Sequence, residues 1–132
     1  MPLYLLPNGG AEQDPRDWWQ SILIASKRLL AKELASRDDI VAICASTHGY
    51  GTVPVDRAGN CLMRAMIWLD TRGAEYTRKI AGGLVNIDGY DPLKILQWIR
   101  LTGGAPFLSG KDAFGHALYI KHEFPDIYRH TY

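Results

Sequence analysis

The chain has 132 residues, 47% hydrophobic and 22% charged, a size and balance that suit one globular domain with its own core. Its 15 lysines and arginines stand against 14 aspartates and glutamates, and a net charge of +1 gives no basic face for nucleic acid or a membrane surface. No apolar run approaches the ~20 residues of a membrane span. Met1-Pro2-Leu3 shows no basic secretion leader, and two cysteines are too few for a disulfide framework; a reduced, cytoplasmic setting is expected.

In chain order, Tyr4-Leu5-Leu6 predicts a short edge strand, closed by Pro7 and an Asn8-Gly9-Gly10 turn. Asp14 as N-cap and Pro15 at the first helical position predict a helix from 15 to about 35, with Asp17 favouring its positive end. Trp18, Ile22, Ala25 and Leu29 share one face, widened by Trp19, Leu23, Leu30 and Leu34. Trp18 and Trp19 read as core or interface anchors.

Residues 40–72 form the centre of the chain. The apolar run Ile40-Val41-Ala42-Ile43-Cys44-Ala45 predicts a buried strand. It leads into the small, polar turn Ser46-Thr47-His48-Gly49-Tyr50-Gly51, a second strand Thr52-Val53-Pro54-Val55, and a turn through Asp56-Arg57-Ala58-Gly59-Asn60. A third apolar run over 62–69 ends in Trp68-Leu69-Asp70-Thr71-Arg72. Helices are expected from Thr71 to Gly82, from the cap Asp91-Pro92 to Gly103, and from Lys111 to Glu123, with Pro125 ending the last. The order of helix, strands and helices points to an α/β layer structure with a helical second half.

Few residues suggest chemistry. Cys44 and His48 stand four apart, but two groups on one local segment are too few for a closed zinc site, and Cys44 in an apolar run reads as a small buried hydrophobe. His116, His122 and His130 do not share a helix face and read as surface or capping residues. No phosphate-binding or dinucleotide glycine motif is present. Two places remain. In 47–51 small residues admit a ligand to the backbone while His48 and Tyr50 supply hydrogen bonds and ring faces; the same residues also make an ordinary polar turn. In 68–72 a tryptophan, a carboxylate and a guanidinium emerge together, as sugar sites require; they also suit an Asp70–Arg72 salt bridge with Trp68 in the core.

The segments Glu12-Gln13-Asp14-Pro15 to Trp18-Trp19, then 40–56, then Ala65-Met66-Ile67-Trp68-Leu69-Asp70-Thr71-Arg72 resemble, in order and spacing, the N-terminal domain of FGGY-family carbohydrate kinases. Phe124-Pro125-Asp126-Ile127-Tyr128 is similar to the family's segment after a helix of that domain. The resemblance implies an incomplete ribonuclease-H-like (actin-like ATPase) domain: α/β, with a mixed sheet, flanking helices and a helical C-terminal half. It implies one partial first domain over 1–132, without the family's opening phosphate-binding strands, its catalytic aspartate or its ATP-binding second domain.

The activity implied for the complete family is phosphoryl transfer from ATP with Mg2+ to a sugar or polyol hydroxyl. This chain would supply part of the sugar wall, bind neither ATP nor Mg2+, and lack kinase activity by itself. His48, Gly49, Tyr50, Trp68, Asp70 and Arg72 are the substrate-binding residues so implied. Xylulokinases usually carry Ser-Gly-Gln-Met-His-Gly at this turn, whereas His48 stands for Gln, Gly49 for Met and Tyr50 for His; Thr47-His48-Gly49 is nearer the Thr-aromatic-Gly version of deoxyhexulose kinases. The sugar is therefore left open. Expected partners are a small sugar or polyol and a second copy of the chain, through an exposed sheet edge or helix face, with no nucleic acid and no membrane. Two other readings stand beside this one: a non-catalytic sugar-binding module using the same turn, and an interaction protein using the Trp18/Trp19 helix.

Overall fold

A computed structural model describes residues 1–34 and 36–132. The chain opens with β1 (Tyr4–Leu5), reverses through Gly9 at φ +83°, and returns as β2 (Ala11–Gln13). The positive φ is one that glycine adopts without a Cβ penalty. Leu6 N–H donates to the Gly10 carbonyl at 2.8 Å, closing this hairpin, and Tyr4 pairs with Glu12. The other edge of β2 pairs with β3 (Ala65–Met66), placing Glu12 opposite Met66. Among the described residues the sheet runs β1-β2-β3 and is wholly antiparallel, not the mixed sheet expected. Strand β2 itself was hidden in sequence, because Glu12-Gln13 reads as the polar approach to a helix.

The run 40–45 differs most from expectation. It joins no ladder; Val41 is 94% exposed and Ile43 93% exposed. A strand is completed by a hydrogen-bonded neighbour, and among the described residues this segment has none. Cys44 is consequently exposed rather than a buried hydrophobe. The second expected strand contributes two isolated bridges, Thr52 to Met66 and Val55 to Cys61.

Helix α1 (Pro15–Leu30) starts as its sequence dictates, with the Asp14 carboxylate accepting from Arg16 N–H at 2.9 Å and proline in the first turn. It ends at Leu30, with Ala31 as its C-cap, short of the expected 35; Ala35 lies outside the described residues. None of its side chains is fully buried, and Trp19 is 60% exposed, so that ring is no core anchor here. Helix α2 (Ala74–Ala81) begins after Gly73 rather than at Thr71, whose hydroxyl is committed to the Gly9 carbonyl. Asp91 caps α3 (Pro92–Thr102) through Leu93 and Lys94 N–H, and Gly103 ends it at φ +78°. Asp112 caps α4 (Ala113–Glu123), and Pro125 then initiates a further helix, α5 (Pro125–His130), instead of only ending α4. Pro at the first helical position removes only an N–H that has no partner there.

The core is small and lies where the sheet meets α2 and α4: Ala11, Ala65, Met66, Ile67, Ala81 and Ile120 are buried. Helices α2 and α4 approach through glycine. A Cβ on Gly115 would stand 2.6 Å from the Gly110 carbonyl oxygen, and one on Gly73 would collide with the Gly115 backbone. We expect Gly115→Ala to lower the melting temperature by several degrees despite alanine's better helix propensity, while Gly104→Ala, which meets open space, leaves it unchanged. Thermal unfolding followed by circular dichroism checks both.

Candidate functional site

The polar turn 46–51 follows the run 40–45 and passes in front of α1. Between them lies a cleft of about 480 Å³, lined on the helix side by Trp18, Ile22 and Ala25 and on the turn side by Ser46, His48 and Val53. The helix face read from the sequence therefore faces this cleft, because no other element of the described chain covers it. Trp18 stands edge-on to the His48 ring, centroids 6.3 Å apart at 76°, and its indole N–H donates to Gln13 Oε1 at 3.1 Å. The cleft thus joins aromatic and aliphatic surface to the hydroxyls of Ser46 and Thr47 and the imidazole of His48. Such a set offers ring faces to C–H groups and several donors and acceptors to hydroxyls.

Tyr50 holds φ +60°, a left-handed conformation that ordinary side chains seldom adopt, between Gly49 and Gly51. Its ring leaves the cleft and lies on Phe107, centroids 5.1 Å apart. Gly49 is exposed, and a Cβ there would meet nothing within 4 Å. Trp68 is 49% exposed and lies outside the lining of this cleft.

Asp70 and Arg72 occupy a different environment. The Asp70 side chain is 0% exposed and that of Arg72 5%. Asp70 Oδ2 accepts from Ala11 N–H at 2.9 Å and from Arg72 Nη2 at 2.7 Å, while Oδ1 accepts from Arg72 N–H at 3.0 Å. Arg72 Nη2 also donates to Glu12 Oε1 at 2.7 Å, and its guanidinium lies 4.7 Å from the Tyr119 ring centroid. Burial opposes the Arg72 charge, but the hydrogen bonds from Asp70 and Glu12 outweigh it and hold the guanidinium's pKa above its ordinary value. Of the two readings open in sequence, this geometry is that of the salt bridge, with Trp68 on the surface rather than in the core.

Behind the turn stands His116, fully buried where a surface position was expected. It lies one helical turn after the Asp112 cap, on the face of α4 that packs inward. Its Nδ1 is 3.0 Å from Thr52 Oγ1 and its Nε2 3.4 Å from the Asp70 carbonyl oxygen. His122 stacks on Tyr76 at 4.7 Å and is exposed, and the exposed His130 places Nδ1 2.7 Å from the Asp126 carbonyl. Trp18 and His116 are the site residues that sequence reasoning missed. Trp18 was hidden by its place in an amphipathic pattern, and His116 has no local signal beyond its spacing from Asp112. Among the described residues no group of three or more His, Cys, Asp or Glu could hold a metal ion, and no helix is long and apolar enough to cross a membrane.

Residues 2–102 match the model of the FGGY family of carbohydrate kinases, N-terminal domain. The chain belongs to this family. It is 33% identical over 92 residues to a glycerol kinase of Bradyrhizobium sp. strain BTAi1, covering 69% of this chain and 17% of that protein. A xylulose kinase of Staphylococcus epidermidis is 32% identical over 80 residues, covering 61% and 16% respectively. Among solved structures, the xyloylose kinase from Brucella ovis superposes with a TM-score of 0.80 at 18% identity over 99% of this chain and 25% of its own. The gluconate kinase from Lactobacillus acidophilus superposes with a TM-score of 0.70 at 17% identity, covering 98% and 24%. The fold is thus the one these kinases share over about a quarter of their chains, and the chain spans about a sixth of the curated relatives it matches.

Two expectations follow from the site. Asp70→Ala leaves the buried Arg72 short of its carboxylate and Ala11 N–H unpaired, and should cost about 3–5 kcal/mol in urea unfolding, whereas a solvent-facing sugar contact would cost almost nothing. His116 titrates below its ordinary 6.5, because burial disfavours the imidazolium more than the nearby Asp70 favours it. On acidification the unfolded chain therefore takes up this proton first. The resulting stability is full above 6.5 and falls as the pH drops from there to the depressed folded value, below which the loss levels off. Unfolding midpoints across that range should show this slope, and it should flatten in His116→Gln.

Proposed function

We propose that this chain builds part of the substrate wall of an ATP-dependent carbohydrate kinase, receiving a small sugar or polyol between Trp18 and the turn 46–51. The observation that carries this reading is the cleft itself, in which an indole edge, two hydroxyls and an imidazole converge in a member of a carbohydrate-kinase family. His48 hydrogen-bonds a substrate hydroxyl, the open backbone at Gly49 lets the sugar approach, and Tyr50 borders the entrance from its place on Phe107. The exposed Trp68 ring offers a further apolar platform. Asp70 and Arg72 serve the same wall from within, by holding the end of β3 against β2.

In this reading the chain is one part of the kinase's first domain, and its contribution to catalysis is orientation of the acceptor hydroxyl. Positioning and charge stabilisation carry most of the barrier reduction in phosphoryl transfer. ATP is the phosphoryl donor of the complete enzyme. Glycerol and xylulose, named in the matched relatives, share adjacent hydroxyls, and that feature defines the substrate class.

Titration calorimetry of the purified chain with glycerol, xylulose and related polyols tests the proposal. Binding should be measurable, and His48→Ala should weaken it by about tenfold, the worth of one hydrogen bond in a partly desolvated site. His122→Ala, at an exposed residue outside the cleft lining, should leave it unchanged. Absence of binding, or equal binding by His48→Ala, overturns the site. The chain alone should give no phosphorylated sugar when supplied with ATP.

A further inference from the structure

We propose that His116 is the positioning residue that fixes the rear of the Trp18–His48 cleft, acting through the hydroxyl of Thr52; the role deepens the polyol-binding reading and rests on it. Gly51 and Val53 both line the cleft. In an extended backbone alternate side chains point to opposite sides, so Thr52 between them points away from it. There its Oγ1 meets His116 Nδ1 at 3.0 Å. The same residue is held by its backbone, with Thr52 N–H donating to the Met66 carbonyl at 2.8 Å and Met66 N–H donating back at 3.0 Å.

The imidazole is a spacer of fixed width. With the proton on Nε2, the neutral ring faces the Asp70 carbonyl oxygen, 3.4 Å away, and accepts from the Thr52 hydroxyl through Nδ1. This tautomer leaves neither ring nitrogen without a partner. The charged groups acting on the ring are Asp70 and Arg72 from the end of β3 and Asp112 from its own helix. Helix α4 reaches the other part of the turn as well. Asp112 Oδ2 accepts from Phe107 N–H at 2.8 Å, and the Phe107 ring carries Tyr50. One turn of α4, Asp112 to His116, thus supports the site turn at both Tyr50 and Thr52, although none of its residues lines the cleft. Movement of Thr52 would carry Gly51 and Val53 with it, and they are cleft wall.

The experiment compares the whole chain with Thr52→Val, which removes the hydroxyl but keeps the shape, with His116→Asn, which keeps a polar group near the position of Nδ1, and with His116→Phe. Imidazole 15N shifts should report the Nε2–H tautomer for His116. Amide exchange at position 52 should quicken about tenfold in Thr52→Val, and by more than exchange along α4, while the global unfolding midpoint falls modestly because the buried Nδ1 loses its donor. Glycerol or xylulose affinity should fall about fivefold in Thr52→Val, and His116→Asn should retain more of it than His116→Phe. Wild-type exchange and affinity in Thr52→Val, or an Nδ1–H tautomer, would overturn the positioning role. If the unaltered chain binds no polyol, the site assignment falls, and the exchange and tautomer results still decide whether His116 holds the turn.

Discussion

The carboxylate of Asp70 is wholly removed from water and meets three donors on two residues: the Ala11 backbone on β2, some sixty residues earlier, and the backbone and guanidinium of Arg72, which also engages Glu12. Taking two charges out of water costs several kcal/mol each unless every lone pair and proton is met, so the arrangement permits little slack. Its consequence is registration. Sheets this short have little ladder to define their own pairing, with strands of two or three residues. The ion cluster spans β2 and the chain just after β3, and fixes which residue of one stands opposite which residue of the other.

From that cluster order extends outward. The Asp70 carbonyl stands beside His116, His116 meets Thr52, and Thr52 begins where the site turn ends. The turn is therefore supported on its inner side by buried, hydrogen-bonded groups, while His48 and Tyr50 are exposed on the other. A binding wall benefits from this division, since groups that meet a ligand need access and groups that set their geometry need to be immobile. The left-handed Tyr50 fits the same division: its backbone strain is borne next to two glycines and against the Phe107 ring.

The surface away from this knot is unusually apolar. Val41, Ile43, Leu84, Leu93 and Leu101 are each more than three-quarters exposed, and α1 has no fully buried residue. In the Brucella ovis xyloylose kinase the matching region makes up a quarter of the chain. The core shared by β2, β3, α2 and α4, by contrast, is closed within this chain.

Local signals in the sequence settled the starts of α1 and α3, because capping is a matter of neighbouring residues: Asp14-Pro15 and Asp91-Pro92 begin them as read, and Gly103 ends α3. The order of motifs was enough to place the chain in its family. What sequence could not decide was everything set by partners distant in the chain. Ile40-Val41-Ala42-Ile43 has the composition of a buried strand, yet a strand exists only where a neighbour pairs with it, and the described chain provides none. Asp70 and Arg72 were equally good as sugar ligands or as a salt bridge until Ala11 and Glu12, some sixty residues earlier, were brought against them. His116 looked like any surface histidine until the packing of α4 turned it inward to Thr52, and Trp18 became a cleft wall only when the turn passed in front of α1. Capping and family motif are short-range patterns and were legible; burial, pairing and the choice between ligand and support are properties of the assembled fold.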